Sequence, residues 1–242
     1  MRINIDNNMS NPRGFNVITN QKLSNNVFFI RVKVIDQAVS LHNIFQSLID
    51  TSWTNTFFAN VEWLKESMSN RAIITVEKIS KDFNNGMNPT INKDTGEKMV
   101  SEISRRSLVE DFHYWNMPLA ELFKQKADGN PGFDFHTITP INDIIMFGEA
   151  KYVAGKTAYN SAMNQIGDFI NEKKDMRDLA EICHFMPSQT PLANAANNIK
   201  GYVAAFSTNC ATDSEIISKI TGHKNYSMLS QYPQFIAIAV DL

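Results

Sequence analysis

The chain has 242 residues, of which 43% are apolar and 20% charged, the profile of a folded globular protein and not of a disordered or fibrous one. Its 23 Lys and Arg stand against 25 Asp and Glu, a formal net charge of -2, so no global basic field draws in nucleic acid and any polyanion is held locally or delivered by a partner. Two cysteines, Cys183 and Cys210, cannot build a disulfide framework, no signal core opens the chain, and no apolar run nears the roughly 18 residues of a membrane span, so the expectation is a cytoplasmic protein with no membrane partner.

Taken in chain order, the Asn-rich first 26 residues lack periodicity and are expected to be irregular. Val27 to Ile35 (VFFIRVKVI) reads as a strand with Arg31 and Lys33 on one side. Asp36 reads as the N-cap of a helix over residues 37–49, with Val39, Ile44, Leu48 and Ile49 on its apolar side. Trp53 to Phe83 reads as mostly helical. Asn84 to Glu97 (NNGMNPTINKDTGE) reads as an exposed connection and as the main break, separating an N-terminal α+β extension (1–98) from a core (99–242). In the core a helix is predicted over 101–115, a short strand over 119–126 and a turn at Asp128–Gly132. Strands over 133–139 and 143–152 then form a hairpin across Pro140-Ile141-Asn142. The helix that follows runs to about Lys173, with Tyr159, Met163, Ile166 and Ile170 on one face. Further helices reach about His223, and Phe235 to Val240 (FIAIAV) reads as a strand buried inside a sheet. The fold class is α/β, a mixed sheet flanked by helices.

The chemistry concentrates in PGFDFHTITPINDIIMFGEAK, residues 131–151. Strand alternation puts Asp134 and His136 on one face, and Glu149 and Lys151 on one face of the next strand. A two-residue loop at Ile141-Asn142 sets 134 opposite 149, whereas a three-residue loop without a bulge sends them to opposite faces. Two carboxylates that close repel each other unless a cation lies between them, and hard oxygen ligands suit Mg²⁺, with Mn²⁺ as the alternative. Lys151 would then stand beside the attacking water and offset charge in a phosphorane-like transition state.

Asp134 followed by Glu149-x-Lys151 resembles the PD-(D/E)XK nuclease superfamily. Within it, the order VED…GFDFH…FGEAKY resembles the nuclease subunits of Hachiman-type antiphage defence systems. The resemblance covers about residues 101–170. It departs at Phe133, where Pro is common, and at Val109, where glycine often precedes the helical acid. It implies a restriction-endonuclease-like core and a Mg²⁺-dependent DNA endonuclease working with a helicase encoded alongside. It also implies a fourth site residue on the preceding helix, best matched by Glu110, with Glu121 as the competitor. Asp134, Glu149 and Glu110 would be the metal ligands.

His136, Lys156 and Gln165 are possible substrate contacts, with a hydrogen-bonded structural role as the alternative for His136 and solvent exposure for the other two. Cys183, His184, Cys210 and His223 match no usual zinc spacing. Lys173, Lys174 and Arg177, interleaved with Glu172, Asp175 and Asp178, read as a solvated helix face. No Gly-x-x-x-x-Gly-Lys loop is present, so no nucleotide is expected on this chain. The alternative function is a non-catalytic interaction subunit that keeps the nuclease fold.

Overall fold

Strands apolar on both faces belong at the centre of a sheet, and two such segments, β5 (Lys200–Thr208) and β6 (Gln234–Asp241), form the middle of this one. The computed structural model describes residues 12–86, 92–124, 132–209 and 211–242. With β1 (Phe15–Lys22), β2 (Val27–Val34), β3 (Phe135–Ile138) and β4 (Ile145–Lys151), the sheet has the order β1-β2-β6-β5-β4-β3. Neighbours β2, β6, β5 and β4 run parallel, and the two outer pairs are antiparallel, so the sheet is mixed. Parallel neighbours need crossovers, which are drawn from the helices that lie between the strands. They are α1 (Gln37–Ile49), α2 (Trp53–Phe58), α3 (Glu62–Gly86), α4 (Lys93–Phe112), α5 (Ala120–Phe123), α6 (Tyr159–Asn171), α7 (Lys174–Ile182), α8 (Thr190–Ala196), α9 (Asp213–Thr221) and α10 (Tyr226–Leu229). No helix among the described residues is long and apolar enough to cross a membrane.

Several expectations change. The first 26 residues contain a strand, β1, anchored by the fully buried Phe15. Residues 1–11 lie outside the described residues, as do 128–131 of the expected turn. The exposed connection over 84–97 ends early: Asn92 caps α4 by accepting the Thr95 N–H at 2.8 Å, and Thr95 and Gly96 are buried. The boundary drawn at 98/99 therefore falls inside α4, and β1 and β2 share one sheet with the strands of the core. α4 stops at Phe112, where His113 turns left-handed at φ 60°. Of the strand expected over 119–126, residues 119–124 hold a helical turn, α5, instead, and 125–126 lie outside the described residues. The run of helices to His223 is interrupted by β5, whose Gly, Ala and Ser content hides a strand buried on both faces. On α7, Lys174, Asp175 and Asp178 are buried and not solvated, a reversal taken up below.

Candidate active site

The hairpin carries four of the candidate residues, Asp134, His136, Glu149 and Lys151. β3 and β4 pair Phe135 with Gly148 through Ile138 with Ile145, and continuing this register by one residue sets Asp134 opposite Glu149. The connection is four residues long, 140–143, instead of two. Thr139 N–H donates to Ile144 O at 3.0 Å, and Asn142 and Asp143 both take positive φ, at 73° and 52°. An even loop keeps the expected parity, so Asp134 and Glu149 stay on one face. Gly148 is fixed by its neighbour, since a Cβ there would lie 2.3 Å from the Phe135 ring.

Asp134 stands just before β3, and its Oδ2 accepts the Ala150 N–H at 2.8 Å. Glu149 is 1% exposed. Its Oε1 accepts from the Lys151 ammonium at 2.6 Å, and its Oε2 is buried with no hydrogen-bond partner. A buried acceptor without a donor is costly. Burial first, and the charge of Asp134 second, push the Glu149 carboxyl well above the usual carboxylate range. Burial alone would lower Lys151, but the charges of Glu149 and Asp134 outweigh it and hold the ammonium above its ordinary value.

The fourth member comes from α4 and is Glu97. Its Oε1 lies 3.9 Å from Lys151 Nζ and, like Glu149 Oε2, is buried without a hydrogen-bond partner. Burial raises its carboxyl, Lys151 works against that, and Asp134 adds to it. Gly96 makes this approach possible, because a Cβ there would meet the Tyr152 ring at 2.3 Å. The expectation for Glu110 is corrected: its carboxylate accepts from Arg106 at 2.7 Å and from Arg13 at 3.1 Å. Thirteen residues further along the same helix, it is about 20 Å along the axis and about 220° round it from Glu97. Glu121, the competitor, sits on α5 with its carboxylate 3.8 Å from Lys98. A sequence signal for Glu97 existed in the Asn92 cap and Asp94 in the first turn.

His136 is fully buried and bonds Asp178 Oδ2 through Nε2 at 2.9 Å, so it is not positioned to touch substrate. Lys156 is exposed in the turn after β4, and Gln165 is half-buried on α6; no ion pair joins Lys156 to the carboxylates among the described residues. Cys210 lies outside the described residues, and His223 instead faces Asn160 Oδ1 at 3.0 Å.

Three carboxylates thus surround one ammonium, and two of their oxygens are buried without a hydrogen bond, Glu97 Oε1 keeping ion pairs at 3.9 Å to Lys93 and Lys151. Among the described residues, no three His, Cys, Asp or Glu side chains close into a ready metal cage. Mg²⁺ needs only one or two carboxylates and fills its octahedron with water and phosphate, and hard carboxylate oxygens such as Glu149 Oε2, buried without a hydrogen bond, are of the donor type that ion takes. Comparison with protein-family models, with curated proteins and with solved structures gives no match.

Proposed function

We propose that the chain is a Mg²⁺-dependent endodeoxyribonuclease of the PD-(D/E)XK type with a restriction-endonuclease-like core. The observation that carries this is the convergence of Asp134, Glu149, Lys151 and Glu97, with Glu149 Oε2 buried without a hydrogen-bond partner and Glu97 Oε1 held only by loose ion pairs to Lys93 and Lys151, each at 3.9 Å. The order of helix acid, antiparallel pair and following helix also matches the resemblance, with Glu97 in place of Glu110. Asp134 and Glu149 would hold the ion, with Glu97 holding it directly or through water. Bound there, Mg²⁺ supplies Lewis-acid activation of water and charge neutralisation at phosphate. Lys151, fixed by its bond to Glu149, orients the attacking water and offsets charge on the phosphorane-like transition state. The new P–O bond forms to the water oxygen as that water gives up a proton to solvent, the P–O ester bond opposite breaks, and the leaving alkoxide takes a proton from solvent. On the resemblance, the wider role is that of an effector in bacterial antiphage defence, with a helicase delivering DNA to a chain of net charge -2.

A plasmid nicking assay with Mg²⁺ and then EDTA tests this. Glu149→Ala and Lys151→Ala are expected to lose about two or more orders of magnitude in rate, and equal cleavage by all three chains would defeat the reading. A docking subunit without catalysis is the second reading. It draws on Trp63 and Ile74, 72% and 70% exposed on α3, and predicts a stable complex with no metal-dependent cleavage.

A further inference from the structure

α7 turns three charged side chains inward, an arrangement that costs desolvation and seldom gains net stability. Asp178 gathers three donors on its Oδ2: Lys124 Nζ at 2.6 Å, His136 Nε2 at 2.9 Å and the Phe133 N–H at 3.2 Å. Lys124 Nζ also donates to Phe133 O at 3.2 Å. Both backbone polar groups of Phe133 are therefore held by one buried ion pair. Its ring is fixed too, at 5.3 Å from Phe147, 5.1 Å from Phe169 and 5.9 Å from Tyr202. The next residue is Asp134, whose own carbonyl accepts the Ala120 N–H from α5 at 3.1 Å. On the other side the pair crowds Gly132, where a Cβ would lie 2.5 Å from both Asp178 Oδ1 and Lys124 Nζ.

We propose that Lys124, Asp178 and His136 are positioning residues: they clamp the main chain at 132–133 and so aim the Asp134 carboxylate at the site. The value of that aim rests on the nuclease reading, but the clamp itself is observable without it. The Ala150 N–H, bonded to Asp134 Oδ2 at 2.8 Å, reports where the carboxylate stands.

The experiment compares the full chain with Lys124→Met, Asp178→Asn and Gly132→Ala. Gly132→Ala disturbs the pair without removing a buried charge, which guards against a variant that fails to fold. Arg31→Met, which breaks the pair with Asp241 elsewhere in the sheet, controls for stability loss alone. Amide exchange at Ala150 and calorimetric Mn²⁺ affinity are the readouts. Clamp variants with wild-type circular dichroism should exchange Ala150 at least about tenfold faster and bind Mn²⁺ about tenfold more weakly. Lys124→Arg should recover both, and Arg31→Met should change neither. Unchanged Ala150 exchange in folded clamp variants, or an equal rise in the control, overturns the proposal. A wild-type chain that binds no Mn²⁺, yet whose Ala150 exchange responds to the clamp, upholds the positioning and removes the nuclease reading.

Discussion

Glu149 carries the sharpest tension in the molecule, a carboxylate 1% exposed, facing Asp134 and supported on one oxygen only by Lys151. Its carboxyl is raised well above the ordinary range, chiefly by burial. The folded chain therefore holds this proton more tightly than the unfolded chain. The stability it contributes is complete below the ordinary carboxylate range and is lost as pH rises toward the raised value. Between about pH 6 and about pH 8 metal-free wild type is expected to lose more, or gain less, in melting temperature than Glu149→Gln, since the lowered imidazole of His136 adds stability with rising pH equally in both chains. In EDTA at the higher pH the variant should melt several degrees above wild type, at about 2–4 °C per kcal/mol for a chain of this size. Mg²⁺ should then raise the melting temperature of wild type and leave the variant unmoved. Scanning calorimetry at both pH values decides it. A variant that melts lower than wild type under all conditions would mean that Glu149 is a satisfied structural acid.

At the scale of elements, the site depends on a register and on a close approach. Parity of the 140–143 loop keeps Asp134 and Glu149 on one face. Inserting a single glycine after Ile141 should abolish Mn²⁺ binding with the fold retained, whereas inserting two should preserve part of it, as titration calorimetry would read. The approach of α4 depends on Gly96 against Tyr152. Gly96→Ala is expected to cost about 1–3 kcal/mol and to weaken Mn²⁺ affinity by moving Glu97. Adding Tyr152→Ala should restore part of both, and purely additive losses in that cycle would refute the contact. These two features differ in how far they were legible. The hairpin was readable because two runs rich in Phe, Ile and Thr flank a Pro-Ile-Asn-Asp loop signal, and α1 because Asp36 and its apolar spacing agree. The start of α4 was not, because Lys93-Asp94-Thr95-Gly96-Glu97 is polar and contains a glycine kept for Tyr152. That composition reads as a loop unless the Asn92 cap is weighed. β5 was hidden for a related reason: a strand enclosed on both faces gives no alternation, and its Ala and Gly are poor strand formers.

Across the whole molecule, the sheet brings together residues from three distant parts of the chain. α4 supplies Glu97, the β3–β4 hairpin supplies Asp134, Glu149 and Lys151, and α5 with α7 holds the strand entry at Phe133. The inward charges of α7 were illegible in sequence because Lys173 to Asp178 alternates sign as solvated helix faces do. Only the packing of α7 over the strand starts, with Asp175 on Lys200 at 2.5 Å and Asp178 on Lys124 at 2.6 Å, reverses that reading. On the proposed reading, this convergence holds a divalent cation. Anomalous diffraction from Mn²⁺-soaked crystals tests it most directly. One strong peak is expected, bounded by Asp134, Glu149 and Glu97, with Glu149 Oε2 among its ligands. Saturating Mn²⁺ with no peak there would contradict it.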